Sequence, residues 1–265
     1  MYVHFIRNFY LNEHSDESSL EVFKMKPIEI AMIGINGALY AIVGYLSNLG
    51  VIAPVVGVVR FWPAVVVPAV FAVLFGPLAG GIGAGIGIFI SDMLIHGNPL
   101  LSLTVGVPSN FFGFYLVGYF SRKKWNWLTI TLGVAFSSLF VASTVYLMTG
   151  FLTTETSLLF LGACLVSYAL ILIVAYILPE FRSYGAASVI GLGFGSTWIG
   201  FGLWAYSQVL ELPLSLGWER FAPFYASFLW LTWTFSTEIP FLVTIVPPIL
   251  KACYRAFPSL MPPNK

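Results

Sequence analysis

The sequence predicts an all-α integral membrane protein, a bundle of about eight transmembrane helices with N-in/C-in topology. Three observations predict it. Charged residues make up 9% of the chain and hydrophobic ones 58%, whereas a water-facing domain carries about 25% charged residues. Apolar runs near the roughly 20 residues that cross a bilayer recur with only short polar breaks. Lysine and arginine gather in alternate breaks, as they do in cytoplasmic loops.

Taken in order, residues 1–27 contain Arg7, Glu13, Asp16, Glu17, Glu21, Lys24 and Lys26. That charge density is wrong for the apolar region of a secretory signal, so a cytoplasmic N-terminal segment is expected. Helices are expected at 28–49, 60–76, 78–96, 99–121, 127–150, 157–178, 185–209 and 221–250, making one membrane domain over 28–250. Residues 251–265 form a cytoplasmic tail. The second helix is short and carries Pro63 and Pro68, and Gly76-Pro77 separates it from the third by a strong turn signal. This split decides the polarity. With it, Arg7, Lys24, Lys26, Arg122, Lys123, Lys124, Arg182, Lys251, Arg255 and Lys265 fall inside, and Arg60 and Arg220 fall outside. Fusing 60–96 into one span would invert every later loop and spoil the asymmetry. The expected location is the cell membrane, as a multi-pass protein.

The third helix holds Gly80, Gly81, Gly83, Gly85 and Gly87, and the seventh holds Gly191, Gly193, Gly195, Gly200 and Gly202. A nucleotide-binding glycine loop needs a strand before it and a helix after it, a context a membrane helix lacks. Close helix packing is the physical reading, with Gly81/Gly85 and Gly83/Gly87 as small-xxx-small pairs. The first helix repeats the device at Gly34/Ala38 and Gly37/Ala41 around Asn36. These serve either an internal contact or a docking surface for another membrane subunit.

Ionisable groups within a span are costly and mark candidate sites. Glu238, in TFSTEIPF, is the deepest acid and is followed by Pro240, which removes a backbone hydrogen bond and kinks the helix. It binds a proton, a cation or a ligand amine, or stands as a structural, hydroxyl-paired glutamate. Asp92 and His96, spaced i, i+4, share one face near the outer end of the third helix, beside Asn98. They cap the rim, bond a ligand or, given further ligands, hold a metal; without a third ligand at matching spacing, no metal is assigned. Arg60 starts the second helix on that same side, either pairing with Asp92, clamping an anionic ligand or snorkelling. Asn110, two residues after Pro108, is a buried amide in need of a partner. Trp62 and Trp198, with Trp204, Trp218, Trp230 and Trp233, divide between an interfacial belt and the walls of a pocket for a flat ring.

Several functions are excluded. Net charge of +1 with basic residues scattered at helix ends offers nothing to nucleic acid. Cys164 and Cys253 are far apart and read as ordinary buried thiols. No Ser/His/Asp arrangement or metal cluster points to an enzyme, and no cofactor is expected. Lysine is absent from the expected span cores, which excludes a retinal Schiff base.

From Arg60 to Lys124 the order R-F-W-P-A, L-F-G-P-L-A-G-G-I-G-A-G-I-G, S-D and G-V-P-S-N-F-F-G-F-Y-L-V-G-Y-F-S-R-K-K resembles the substrate-binding S components of energy-coupling-factor (ECF) vitamin transporters. The resemblance covers residues 28–124, and the eight expected helices exceed the six usual in that family. It implies a capture subunit for a small, vitamin-like heterocyclic nutrient, energised by a membrane partner and two cytoplasmic ATPases. Gly34 and Ala38 would meet the energising subunit. Arg60, Trp62, Asp92, His96, Asn110, Trp198 and Glu238 would surround the substrate. The alternative is an autonomous proton- or ion-coupled secondary transporter that uses Glu238.

Overall fold

A computed structural model describes residues 27–52, 55–56, 59–148, 150 and 152–260. The expected N-terminal segment, up to residue 26, and the last residues of the tail lie outside the described residues. The chain forms α1 (Pro27–Asn48), α2 (Pro63–Phe75), α3 (Pro77–Ile95), α4 (Pro99–Phe120), α5 (Trp127–Leu147), α6 (Thr154–Ile177), α7 (Arg182–Ser207) and α8 (Tyr225–Thr244). A ninth helix, α9 (Val246–Ala256), follows α8 directly. Among the described residues, seven helical stretches are long and apolar enough to cross a membrane, and α2 is the shorter eighth. This is an all-α, multi-pass membrane bundle.

Strand structure is confined, among the described residues, to a two-residue antiparallel ladder of β1 (Val55–Val56) on β2 (Val59–Arg60), pairing Val55 with Arg60. Extended chain thus occupies the place where α2 falls short. At 1.5 Å per residue α2 covers roughly 20 Å, against roughly 30 Å of hydrocarbon.

Helix packing runs α1 on α3, α3 on α4, α4 on α7, α7 on α8, α8 on α6 and α6 on α5. The glycines of α3 explain why it can touch three neighbours at once. A methyl group on Gly80 would lie 2.3 Å from Ala72 Cβ of α2, one on Gly83 2.3 Å from Asn36 Nδ2 of α1, and one on Gly81 2.8 Å from the Phe111 carbonyl of α4. In lipid, where apolar side chains gain little by leaving one apolar medium for another, such backbone approach supplies the packing. The α2–α3 turn needs Gly76, whose φ of 115° disfavours any side chain, while Pro77 suits the first position of α3.

Arg122, just past α4, closes the end of the bundle that carries most basic residues. Its Nη1 donates to Ala72 O at 3.1 Å and Gly118 O at 2.6 Å, and its Nη2 donates to Val73 O at 3.1 Å. Helix C-terminal carbonyls lack intrahelical donors and carry partial negative charge, so one guanidinium caps α2 and α4 together. Burial lowers its pKa and the nearby Tyr254 raises it again, and the group stays charged at neutral pH. The helix α9 passes beside it, burying Val246, Pro247 and Leu250 and exposing Lys251 and Arg255, the pattern of a helix lying along an interface.

At the opposite end the segment between α7 and α8 folds over a small apolar cluster of Leu101, Leu203, Leu212, Ala222 and Trp230. Ser207 receives both the Phe221 N–H on its carbonyl and the Ala222 N–H on its Oγ, at 2.8 and 3.2 Å. These bonds hold Phe221 at a φ of 53°, a region bulky residues rarely adopt.

Candidate functional site

The candidate site begins where α1, the start of α2, α4 and α8 meet. Tyr40 is buried on α1, one turn after Asn36. Its hydroxyl donates to Asn110 Oδ1 on α4 at 2.7 Å and receives Trp62 Nε1 at 3.5 Å. Asn110 Nδ2 in turn donates to Gly106 O at 3.0 Å. Thus Trp62 and Asn110, both expected at the site, are joined through a tyrosine that sequence reasoning missed. A tyrosine one helical turn from a buried asparagine in a span was the available signal.

The Trp62 backbone N–H donates to Thr237 O at 3.2 Å, roughly 18 Å along α8 from Tyr225. Non-helical backbone at such depth is stable only when its polar groups are satisfied within the protein. Pro240 lies inside α8 and lacks an N–H, so α8 is weakened where the extended chain docks. The next residue after Thr237 is Glu238, which brings the expected acid to the same place.

Glu238 borders a small cavity of about 20 Å³ between α4, α7 and α8, whose polar lining is Ser109, Asn110, Ser196, Thr234 and Glu238. Glycines make the cavity possible by drawing α4 and α7 together: a methyl on Gly191 would sit 2.5 Å from Gly113 O. Ser109 Oγ donates across the same seam to Gly195 O at 2.9 Å. Ser196 is fully buried, and its Oγ has no hydrogen-bond partner. Among the described residues the Glu238 carboxyl has no hydrogen-bond or ion-pair partner either. Ser109, Ser196 and Thr234 were not expected; a hydroxyl inside the GLGFGSTW run was the only trace of Ser196.

Asp92 and His96 form a separate cluster. Asp92 Oδ1 lies 3.6 Å from His96 Nε2, and Ser102 Oγ donates to Asp92 Oδ2 at 2.6 Å. His96 Nδ1 accepts the Asn98 N–H at 3.2 Å, and Asn98 exchanges hydrogen bonds with the Tyr206 hydroxyl. The cluster sits against a wide helical turn at Ser102–Gly106, where a methyl on Gly106 would meet Asp92 Oδ2 at 2.6 Å. Among the described residues no three His, Cys, Asp or Glu side chains come together. Arg60, expected to start the second helix, lies instead in β2, and α2 begins at Pro63; its alternatives of pairing with Asp92, clamping an anionic ligand or snorkelling concern a side chain outside the described residues.

Trp198 faces away from the Glu238 cavity. It lines an open apolar groove of about 740 Å³ with Val105, Phe194, Phe201 and Tyr206. Its indole N–H donates to Thr104 O at 3.3 Å, a carbonyl that Pro108, four residues on, cannot serve. On α1 the two small-residue pairs separate. Gly37 and Ala41 are buried, whereas Gly34 and Ala38 are exposed beside Ile35, Leu39 and Ile42.

No known protein family, characterised protein or solved structure matches this chain. What the described residues offer a ligand is a half-buried carboxyl and a buried hydroxyl without partners, an aromatic-amide hydrogen-bond chain beside them, and one exposed small-residue face.

Proposed function

We propose that this chain is the substrate-capture subunit of a cell-membrane uptake system for a small, vitamin-like heterocyclic nutrient, energised by a membrane partner and two cytoplasmic ATPases. The observation that carries the reading is the Trp62–Tyr40–Asn110 chain beside Glu238, at the point where extended backbone replaces helix inside the bundle. Polar groups of this kind orient a ligand, and irregular backbone within a membrane protein borders solute sites in transporters. The Glu238 cavity is smaller than a heterocycle, so ring binding requires α4, α7 and α8 to part around it. The exposed Gly34/Ala38 face of α1 supplies a surface on which a second membrane helix can approach closely. The resemblance of residues 28–124 to ECF S components agrees with both features. The chain carries no Walker motif, which fits energy supplied by a partner.

The test is purification from native membranes followed by reconstitution. The proposal expects co-purifying ATPase subunits and uptake that requires ATP. Uptake by the isolated chain in liposomes without ATP would overturn it. One observation favours a second reading: the Glu238 carboxyl, without a partner among the described residues, suits an autonomous proton- or ion-coupled carrier. In that case Glu238→Gln abolishes uptake in cells that lack any ATPase partner.

A further inference from the structure

We infer that the Glu238 cavity is a cation subsite built for one monovalent cation no larger than ammonium, either a free ion or the protonated amine of the captured nutrient. The inference deepens the reading of this site as solute-binding. It rests first on where the hydrogen-bond donors point. Ser109 Oγ donates to Gly195 O, Asn110 Nδ2 to Gly106 O and the Tyr40 hydroxyl to Asn110 Oδ1. Ser109 Oγ, its one proton committed, and Asn110 Oδ1, which accepts one bond and keeps a second lone pair, offer oxygen to the cavity, and Thr234 adds a hydroxyl oxygen. A wall of acceptors around a carboxyl repels anions and suits a cation or a multiple donor.

The second, independent observation is Ser196. It is fully buried, lines the cavity and leaves its Oγ without a partner. A buried hydroxyl left unpaired costs free energy that a ligand within the cavity recovers. Charge and size then narrow the occupant. One carboxylate among neutral oxygens balances a single positive charge, and a divalent ion would leave an uncompensated buried charge. The volume of about 20 Å³ admits roughly one water-sized group. Sodium and ammonium ions meet that limit, as does the terminal –NH3⁺ of an alkylamine. Hard oxygen ligands are the donor type such cations prefer.

The experiment measures thermal unfolding of the detergent-purified full chain in chloride salts of sodium, ammonium, methylammonium and N-methyl-D-glucamine at equal ionic strength. A cation that binds the folded state raises the unfolding temperature with concentration. The expected result is such a rise with at least one small cation, none with N-methyl-D-glucamine, and loss of the rise in Glu238→Gln. A response to sodium identifies a free-ion site, and a response to ammonium and methylammonium alone identifies an amine head-group site. Ser196→Ala, which removes one ligand atom and little volume, raises the half-saturating concentration about tenfold. It also keeps the test decisive if Glu238→Gln does not fold. Identical unfolding in all four salts, or a rise that survives unchanged in the variants, would overturn the inference. That failure is separate from failure of the capture reading, which is scored by ATP dependence.

Discussion

Gly191 and Gly193 lie two residues apart in one glycine run of α7, and the structure assigns them opposite behaviour. A methyl group on Gly191 would stand 2.5 Å from Gly113 O, 2.5 Å from Val117 Cγ2 and 3.0 Å from Val117 N. Non-bonded heavy atoms are comfortable near roughly 3.5 Å, so α4 and α7 must part by about 1 Å. Two of the three obstructing atoms are backbone and cannot swing aside. Overpacking of this kind costs about 1–3 kcal/mol, and alanine recovers about 1 kcal/mol over glycine in a helix. Gly191→Ala should therefore lose up to about 2 kcal/mol. A methyl on Gly193 meets nothing within 4 Å, so Gly193→Ala keeps only the helix-propensity gain of at most about 1 kcal/mol. The assay is heating in detergent followed by size exclusion with tryptophan fluorescence. At about 2–4 °C per kcal/mol for a chain of this size, Gly191→Ala melts several degrees below the parent and Gly193→Ala at or slightly above it. Equal shifts in both variants, or a Gly191→Ala protein at least as stable as the parent, would refute the assigned helix seam.

Other substitutions test the remaining contacts. Arg122→Gln removes the shared cap on α2 and α4 and, for a half-exposed group, should cost about 1–2 kcal/mol in the same melting assay; Arg122→Lys should not restore it, because an ammonium lacks the fork that reaches three carbonyls. Asn36 donates to Ala79 O at 2.9 Å and Gly80 O at 3.3 Å, and Asn36→Ala should lower stability by about 1–2 kcal/mol through lost hydrogen bonds and a void against Gly83. Gly34→Leu and Ala38→Leu point into open space and should leave unfolding unchanged while abolishing co-purification of an energising subunit. Gly37→Leu, whose Cβ would lie 3.1 Å from Ile86 Cγ2, should instead destabilise the isolated chain. Tyr40→Phe breaks the link between Trp62 and Asn110 and should weaken nutrient uptake by about tenfold while lowering stability by about 1 kcal/mol through the partners it leaves unpaired.

That the chain is a multi-pass bundle of apolar helices was legible in the sequence, although among the described residues seven stretches rather than eight have the length of a span, the second helix starts at Pro63 and the expected 221–250 helix divides at Ile245. Lipid reads local composition, so an apolar stretch of sufficient length declares itself wherever its neighbours lie. The Gly76-Pro77 turn, the α2 proline content and the Glu238–Pro240 weak point of α8 are likewise local, because they act through backbone geometry. Asp92, His96, Asn110 and Glu238 stand out in the sequence as candidates, since polar groups inside a span need partners. Which groups partner one another was not. In water an amphipathic stripe reveals the inward face of a helix, but in lipid both faces are apolar and most of these spans carry little such asymmetry. Only packing could therefore separate Gly37, buried against α3, from Gly34, open to lipid. Packing alone also placed Ser196 at the cavity, set Tyr40 against Asn110 and turned Trp198 away. The rotation and depth of each helix come from backbone contacts made by glycine, and these exist only once the helices have met.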